Sequence, residues 1–415
     1  MKREKYLNEL ISLIGNGMIK VITGIRRSGK SYLLFNLFAE YLSQNGIDDS
    51  HMIKIDLENY RNKALRNPDT LYDFIENHIS DDSRHYVLLD EVQLVSDFEG
   101  VLNGLLHKKN LDIYVTGSNA RFLSKDVITE FRGRGYEVRL YPLSFAEFAR
   151  EYIGTIQAAF NEYIIYGGLP QILSYKTEET KARFLKNLFD ETYLRDIKDR
   201  YKIRNDGDIE ELIDLIASDI GSMTNPNKLA NTFKSVKKSA ISYGTVKKYL
   251  DYLNDAFLIE KALRYDLKGK HYIDSLCKYY FTDLGLRNAR INFRQIEKTH
   301  LTENLIYNEL RMRGYNVDIG IFPSVVCDSN GKQHHSQLEV DFVCNLASKR
   351  YYIQSAYKID SIEKASQEKA SLMKINDSFK KIIVTVEETP VIRDNYGITT
   401  MSVYDFLLKE NSLEL

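Results

Sequence analysis

The sequence predicts an α/β protein that begins with a doubly wound parallel sheet and continues into smaller modules. Three stretches near the start of the chain lead to this prediction. They are a glycine-rich loop between an apolar strand and an amphipathic helix, a buried strand ending in two acids, and another buried strand ending in small polar residues. The carboxyl ends of parallel strands lie along one edge of a sheet, so these stretches are expected to meet there.

Length and composition limit the number of domains and the kinds of site that the chain can carry. A chain of 415 residues, at roughly 150 per domain, predicts about two or three domains. The formal net charge of −1 means that any polyanion site must be a local patch. Cys277, Cys327 and Cys344 lack metal-ligand spacing, which favours a reducing compartment without disulfides. No charge-free apolar run approaches the ~18 residues of a membrane span, so the protein is expected to be soluble and cytoplasmic, without a membrane partner.

The first of the three stretches is a phosphate-binding loop. It has the form G-x-x-x-x-G-K-S and lies between a β-branched strand at 18–23 and a helical pattern at 32–42. Its two glycines let backbone N–H groups turn inward, and the helix N-terminus adds partial positive charge. Lys30 is expected to reach the β- and γ-phosphates of ATP, and Ser31 to hold Mg²⁺. The predicted nucleotide-binding residues are Gly24, Ile25, Arg26, Arg27, Ser28, Gly29, Lys30, Ser31 and Tyr32.

Acidic residues follow the next buried strand. A strand is predicted at 51–57, a helix at about 70–79, and a strand at 85–91 that runs into Asp90 and Glu91. This is the Walker B pattern, in which Asp90 holds Mg²⁺ through its water shell and Glu91 orients or deprotonates the attacking water. The same pair could cap a helix, but the phosphate loop upstream favours the catalytic role.

Two further strands complete the predicted sheet. The strand at 111–119 ends in polar residues, where Ser118 or Asn119 is expected to contact the γ-phosphate or the attacking water; either residue can instead form a turn. A fifth strand is predicted at 136–141, after Arg132 and Arg134. These arginines are either solvated or placed to contact the γ-phosphate of a neighbouring subunit, which would make hydrolysis depend on assembly.

The ordered set of motifs resembles the prokaryotic AAA-type (AAA+) ATPases that carry a C-terminal domain of unknown function, and the likeness covers nearly the whole chain. The motifs are GIRRSGKS at 24–31, LLDEVQ at 88–93, TGSN at 116–119, GR at 133–134, PLSFAEF at 142–148 and YGGLP at 166–170. The resemblance implies a P-loop NTPase core, a winged helix and a domain similar to the PD-(D/E)XK nuclease fold. It also identifies Arg134, rather than Arg132, as the arginine that acts on a neighbouring site.

Residues 1–150 are predicted to be the ATPase core and residues 151–205 a helical lid. Helical patterns at 145–152, 158–165 and 180–199 predict the lid, and the glycines and proline at 166–170 interrupt them. From its residues alone, this interruption is predicted to be a simple turn. In the family that the chain resembles, this position is a lid element over the nucleotide.

A winged helix is predicted over 206–294, with helices at 209–218, 227–234 and 243–254 and a hairpin of strands at 258–264 and 278–282. No acidic residue lies between Asp219 and Asp251, although lysines are frequent there. The second and third helices face DNA in helix-turn-helix proteins, so these lysines are predicted to bind DNA. An ordinary solvated face is the alternative. The lysines are Lys228, Lys234, Lys237, Lys238, Lys247 and Lys248.

The last module, 295–415, is predicted to be nuclease-like and catalytically degenerate. Its predicted elements are a helix at 299–313 and strands at 317–322, 336–344 and 350–357. By resemblance, an active nuclease needs Asp341, an assisting acid such as Glu303, a second acid where Gln354 stands and a lysine where Ala356 stands. Lys358 is the nearest replacement for that lysine. Glu303, Asp341 and Gln354 are therefore a predicted remnant that holds either a metal or only the local structure.

Together these features predict an oligomeric, Mg²⁺-dependent ATPase that couples nucleotide state to the binding or remodelling of duplex or branched DNA. A hexameric ring is one arrangement for the homo-oligomer. Two other functions stay open. One is a nucleotide-dependent signalling or defence switch that recruits a protein partner, and the other is an ATP-gated nuclease.

Overall fold

A computed structural model describes residues 1–117, 133–203, 206–237, 241–294, 296–327 and 333–415. The described chain divides into two compact units. Unit 1 comprises Met1–Pro142 with Asp255–Phe257, and unit 2 comprises Leu143–Asn254 with Leu258–Leu415. Four residues that the sequence singled out, Ser118, Asn119, Arg132 and Lys238, lie outside the described residues.

Unit 1 is built on a five-stranded sheet. Its strands are β1 (Ile19–Thr23), β2 (Met52–Asp56), β3 (His85–Asp90), β4 (Leu111–Thr116) and β5 (Gly135–Arg139). They lie in the order β2-β3-β4-β1-β5, and every neighbouring pair is parallel. This confirms the predicted parallel α/β sheet of the P-loop NTPase type, and the predicted strand bounds differ from the observed ones by at most three residues.

Helices in unit 1 pack their apolar faces on this sheet. They are α1 (Glu4–Ser12), α2 (Lys30–Tyr32, continuing as a π-helical stretch Leu33–Phe38 and ending as Ala39–Gln44), α3 (Pro68–Asn77) and α4 (Phe98–Leu105). In α2 the apolar residues recur every three or four positions, so Leu34 and Phe38 share one face. That face packs with Leu10 of α1 against Leu88 and Tyr114 of the sheet. The first helical residue of α2 is thereby fixed directly after the glycine-rich loop.

An ion pair lies inside the same sheet. The ammonium of Lys20 on β1 donates to Asp112 on β4, and both side chains are buried. The second oxygen of Asp112 accepts the N–H of Gly15 at 2.9 Å and the hydroxyl of Tyr114 at 3.1 Å. Burial lowers the pKa of Lys20, although the hydrogen bond and charge of Asp112 act in the opposite direction. Removing one member of this pair would therefore leave the other charge buried and unpaired, which is strongly destabilising.

Unit 2 contains the remaining helices. They are α5 (Phe145–Glu151), α6 (Ile156–Tyr166), α7 (Glu178–Leu188, continuing as a π-helical stretch Phe189–Leu194 and then Arg195–Tyr201), α8 (Asp206–Ser218), α9 (Pro226–Thr232, continuing as a π-helical stretch Phe233–Lys237), α10 (Tyr243–Asp255, whose last residue belongs to unit 1), α11 (Leu284–Arg290), α12 (Lys298–Met312), α13 (Ile362–Met373) and α14 (Val403–Leu408). Across the described ranges, none of the helices combines the length and the apolar character needed to cross a membrane.

An eight-stranded sheet runs through unit 2. Its strands are β6 (Ile259–Asp266), β7 (His271–Phe281), β8 (Asn316–Cys327), β9 (Gln333–Leu346), β10 (Lys349–Ala356), β11 (Lys380–Thr385), β12 (Ile392–Arg393) and β13 (Ile398–Ser402), in the order β12-β13-β11-β10-β9-β8-β6-β7. The predicted wing hairpin is β6 and β7, which are antiparallel. However, β6 also pairs in parallel with β8. The structure thus differs from the predicted division at 294/295, because one sheet continues across it.

The turn at 166–170 is held by a buried carboxylate from the same unit. Asp283 accepts the N–H of Gly168 at 2.8 Å, and a Cβ on Gly167 would lie only 2.2 Å from an oxygen of Asp283. Gly167 also has a φ of +76°, which favours glycine. Both glycines therefore have a packing reason beyond the turn itself.

Replacing Lys20 with Met should destabilise unit 1 by about 3–5 kcal/mol, because Asp112 would be left buried without a counter-charge. Lys54→Met is the matched control, since Lys54 pairs with Asp49 at the surface and such pairs contribute about 0–1 kcal/mol. Urea denaturation followed by circular dichroism measures both changes. Equal and small effects of the two substitutions would contradict this assignment.

Candidate functional site

The glycine-rich loop follows β1, and its first residue, Gly24, has no room for a side chain. Gly24 has a φ of +132°, and a Cβ there would lie 2.0 Å from the carbonyl oxygen of Leu140. The strand on that side is fixed, because the N–H of Leu140 donates to the carbonyl of Thr23 at 2.7 Å. Gly29, directly before α2, has a φ of +98°. Both positions of the motif thus require glycine, the first through contact and the second through conformation.

Lys30 folds back onto this loop. Its side chain is buried, and its ammonium donates to the carbonyls of Gly24 at 3.1 Å and Ile25 at 3.2 Å. Burial lowers the pKa of Lys30, while the nearby charges of Glu91 and Asp90 raise it. The cation therefore lies between the loop and the predicted acids, where it can meet the negative charge of a polyphosphate.

Asp90, the last residue of β3, meets Ser31 at the start of α2. Burial raises the pKa of Asp90, whereas hydrogen bonds from Thr116 and Ser31 lower it. The hydroxyl of Thr116, at the end of β4, donates to the Asp90 carboxylate. The two predicted Mg²⁺ ligands, Ser31 and Asp90, are thus in contact. A hydroxyl and a carboxylate are oxygen ligands of the kind that Mg²⁺ takes.

Glu91 leaves the strand in the left-handed region, with φ 54° and ψ 48°. Its N–H donates to the hydroxyl of Thr116 at 3.0 Å, and its carboxylate accepts from the side-chain amide of Gln93. A residue other than glycine in this conformation costs on the order of 1–3 kcal/mol and is typical of functional sites. The strained turn separates the directions of two consecutive acids, so Asp90 and Glu91 can take different roles.

Other members of the predicted site differ in what they offer. The hydroxyl of Ser28 is buried and has no hydrogen-bond partner among the described residues, so a phosphate oxygen fits there. Arg27 is exposed with a φ of +64°, and Tyr32 is exposed. Arg134 is exposed directly before β5. The arrangement around Ser28, Lys30, Ser31 and Asp90 therefore fits a nucleotide with Mg²⁺.

The sequence assigned no role to three polar residues near these acids, although two of them lie within the quoted motifs. Thr116 binds both Asp90 and Glu91, and Gln93 binds Glu91. Asp56 ends β2 in register with Asp90, and its charge adds to the rise in the pKa of Asp90. Their position could have indicated a role, because Thr116 and Asp56 are the last residues of strands that neighbour β3.

Five of the predicted DNA-binding lysines, all except Lys238, lie on α9, on the π-helical stretch that continues it, and on α10. Lys228, Lys234, Lys247 and Lys248 are exposed. The ammonium of Lys228 donates to the carbonyl of Met223 at 2.8 Å. Lys237 is the last residue of the π-helical stretch, and its side chain lies outside the described part of the chain. The described lysines are therefore accessible to a polyanion.

A buried charged cluster in unit 2 contains two of the nuclease-like residues. The ammonium of Lys278 on β7 lies 2.8 Å from Glu303 and 2.6 Å from Glu339, and the hydroxyl of Tyr280 donates to Glu303 at 2.6 Å. Asp341 is close enough to interact with the charges of Glu303 and Lys278. The sequence did not indicate Lys278, because it comes from the predicted wing and lies far along the chain from Asp341.

The remaining nuclease-like positions, Gln354 and Lys358, bind other groups. The side-chain oxygen of Gln354 accepts the backbone N–H of Asp341 at 3.4 Å, and the Asp341 carboxylate accepts the N–H of Ser355 at 2.7 Å. Lys358 instead pairs with Asp360 at the surface, 3.2 Å away. The lysine of this cluster is therefore Lys278, and its charge is already paired with carboxylates.

Burial sets the protonation of the cluster. It raises the pKa of Asp341 well above the usual range, and the charge of Glu303 raises it further while Lys278 lowers it. For Lys278, burial opposes the charged form, but Glu303, Asp341 and Glu339 raise its pKa above the usual lysine value. The carboxylates thus favour the charged form of the ammonium, and burial together with Glu303 favours the protonated form of Asp341.

Comparisons with known proteins agree with this geometry. Residues 16–149 match the family described as AAA domain, and residues 157–297 match a domain of unknown function (DUF8612). An uncharacterized protein of Haemophilus influenzae is 33% identical over 99% of both chains. An uncharacterized protein of Methanocaldococcus jannaschii is 30% identical over 91% of this chain and 83% of that protein.

Solved structures are less similar. The Aeropyrum pernix ORC1 protein, solved in complex with DNA, aligns with a TM-score of 0.32 and 11% identity over 70% of this chain and 92% of that one. A TM-score of this size carries no conclusion about this chain.

The sheet and the glycine-rich loop of unit 1 define a P-loop NTPase fold with an AAA domain. The chain belongs to the same family as the Haemophilus influenzae and Methanocaldococcus jannaschii proteins, because the identity extends over most of each chain. The likeness of the region 295–415 to a nuclease fold stays a prediction.

The raised pKa of Asp341 predicts a pH-dependent stability. The folded chain keeps a proton that the unfolded chain releases above about pH 4, so this group's contribution falls by up to about 1.4 kcal/mol per pH unit as the pH rises towards the folded pKa. Asp341→Asn lacks this proton, and its unfolding free energy relative to wild type should increase with pH.

Asp360→Asn is the control for this measurement. Lys358 lowers the pKa of Asp360, so the stability from that group is lost only as the pH falls below about 4, and the difference between this variant and wild type should be flat from pH 5 to pH 8. Denaturation curves from pH 5 to pH 8, about the range in which proteins are most stable, give both slopes. A flat difference for Asp341→Asn would mean that Asp341 is ionised throughout.

Proposed function

We propose that the protein is a Mg²⁺-dependent ATPase that works as a homo-oligomer and couples ATP binding and hydrolysis to the binding or remodelling of DNA. The observation that carries the ATPase proposal is the convergence of Lys30, Ser31 and Asp90 at one point, with Glu91 beside them on a strained turn. The AAA domain matched over 16–149 supports the same class of activity.

Each residue has a distinct role in this proposal. The loop N–H groups and Lys30 bind the phosphates, and Ser31 and Asp90 hold Mg²⁺, which neutralises the charge that develops on the β- and γ-phosphates. Thr116 fixes Asp90 by donating to its carboxylate. Glu91 accepts a proton from the attacking water, and Asn119 contacts the γ-phosphate or that water. Arg134 completes the site of a neighbouring subunit.

The contact between Gln93 and Glu91 favours a second candidate function. Because the Gln93 amide binds the carboxylate that would activate water, hydrolysis is slow until that contact breaks. A slow ATPase suits a signalling or defence switch that recruits a protein partner. Repeated turnover stimulated by DNA distinguishes the DNA-coupled enzyme from this switch, which would retain its nucleotide and ignore DNA.

An ATP-gated nuclease is less well supported. Lys278 supplies the lysine that the sequence pattern lacks, but Glu303 and Glu339 already pair with its ammonium. We therefore propose that the cluster is a non-cleaving remnant. Mg²⁺-dependent nicking of plasmid DNA that stops in Asp341→Asn would contradict this proposal.

Glu91→Gln should bind ATP like wild type and hydrolyse it about 10²–10⁴-fold more slowly, since general-base catalysis contributes about that much. Lys30→Ala should lose ATP binding itself. Steady-state hydrolysis and fluorescent-nucleotide binding measure the two effects separately. Full hydrolysis by Glu91→Gln would remove Glu91 from the proposed mechanism.

A mixing experiment tests the role of Arg134. Arg134→Ala has an intact nucleotide site, and Glu91→Gln has an intact arginine, so each variant alone should be inactive and a mixture should regain part of the activity. Activity should also rise with protein concentration. Recovery that fails in the mixture, while Arg134→Ala alone is inactive, would place Arg134 outside the neighbouring site.

DNA binding should depend steeply on salt. If about three of the lysines contact phosphates, log affinity for duplex DNA should fall with log salt at a slope of about −2.7. Replacing Lys228, Lys234, Lys247 and Lys248 with Ala should flatten this slope and weaken binding. The control replaces four lysines that are exposed elsewhere: Lys109, Lys176, Lys268 and Lys358. Equal effects of the two sets, or no effect of either, would exclude the lysines of α9 and α10 as the contact surface.

A further inference from the structure

A second group of metal-ligand side chains lies at the amino edge of the sheet in unit 1. His51 directly precedes β2, and His85 is the first residue of β3. The parallel register pairs Met52 with Tyr86, so the imidazoles that precede them lie side by side with ring centroids 4.6 Å apart. Asp81 belongs to the segment between α3 and β3, and its carboxylate Oδ2 lies 3.1 Å from Nε2 of His51.

We propose that His51, Asp81 and His85 bind a divalent cation of the zinc type. One ligand atom from each residue lies within 4.8 Å of the other two. Two imidazoles and one carboxylate form a ligand set that suits Zn²⁺ and other borderline metals, whereas Mg²⁺ prefers oxygen ligands alone. Nothing in the proposed ATPase function uses these residues.

Outer hydrogen bonds already orient both rings. Nδ1 of His85 lies 2.9 Å from the carbonyl of Ser83, and a carbonyl can only accept, so this nitrogen carries the proton and Nε2 keeps its lone pair. Nδ1 of His51 is 3.2 Å from the hydroxyl of Ser50, while its Nε2 faces the Asp81 carboxylate, which can only accept, so Nε2 carries a proton that the cation would replace. Metal-ligating histidines are held in this manner, through the nitrogen that does not bind the metal.

The lone pair of His85 now accepts the N–H and hydroxyl of Ser80, each at 3.0 Å. Both donors must move aside when a cation binds. They belong to the short segment between α3 and β3 that also carries Asp81, so a small shift of this segment can release His85 and keep the carboxylate in place.

The distances require little further movement. Ligands around a tetrahedral zinc lie about 3.3 Å from one another, given bonds of about 2.0–2.1 Å. His51 and Asp81 already meet this spacing, so His85 is the residue that must approach. The side chains of His51 and Asp81 are 22% and 53% exposed, which gives the ion a route from solvent and leaves room for water as a fourth ligand.

This location is distinct from the nucleotide site. The two sites lie at opposite edges of one sheet, and a strand the length of β2 separates them by about 16 Å. Failure of the ATPase proposal would therefore leave the cation proposal intact, and the reverse also holds.

The test uses full-length protein without an affinity tag, stripped with a chelator and supplied with excess Mg²⁺ and ADP to saturate the nucleotide loop. Calorimetric titration with zinc should show one tight site per chain that excess Mg²⁺ does not displace. His51→Gln and Asp81→Asn should each weaken binding about tenfold or more. His271→Gln, an exposed histidine in unit 2, should leave binding unchanged, and circular dichroism confirms that each variant is folded.

X-ray absorption of the zinc-loaded protein counts the imidazoles. Two imidazoles with the loss of binding in both variants support the proposal. It is overturned by the absence of a tight site, by equal binding in folded variants and wild type, by displacement with Mg²⁺, or by a single imidazole, which would remove His85 from the site.

Discussion

The candidate nucleotide site depends on one close approach of the backbone, at Gly24 against the carbonyl of Leu140. This contact places the loop between β1 and the chain that leaves β5, so the loop passes over the carboxyl edge of the sheet. The carbonyls of Gly24 and Ile25 then receive the ammonium of Lys30. Because β3 and β4 run parallel to β1, their last residues Asp90 and Thr116 reach the same edge. The steric constraint at Gly24 thus positions the loop that receives Lys30, and the parallel sheet brings Asp90 and Thr116 to the same edge.

Two of the buried lysines that lie near acids, Lys30 and Lys278, behave differently. Lys30 donates to backbone carbonyls, which leaves the full charge of the ammonium available to a phosphate, and Asp90 is bound by hydroxyls. Lys278 instead pairs directly with Glu303 and Glu339. Breaking such a buried pair by removing one partner is costly, so a substrate phosphate or a cation would have to compete with an ion pair already formed. The same residue types therefore give a candidate binding site in unit 1 and a closed network in unit 2.

How much of this structure could be predicted from the sequence depends on how far apart in the chain the interacting residues lie. The strands and the glycine-rich loop of unit 1 are local patterns, so their positions were predicted to within a few residues, and Ser31 and Asp90 meet as the parallel topology requires. The shared sheet of unit 2 was not predicted, because pairing of β6 with β8 at Arg264 and Ile319 joins segments far apart in the chain. Lys278 was missed for the same reason. The left-handed turn at Glu91 has no sequence signal, since glutamate is rarely found there.

The α11 helix explains why the predicted lid and winged helix belong to one unit. Asp283, its N-cap, binds the turn at 166–170, and the amide of Asn288 donates to the carbonyls of Ile164 and Ile165 at the end of α6. On its other side, Arg287 donates to the carbonyl of Ala217 on α8 at 2.7 Å. These contacts are buried hydrogen bonds, which are costly to break. In the proposed function, any nucleotide-dependent displacement of the turn would therefore pass through α11 to α8, the first helix of the segment that carries the exposed lysines.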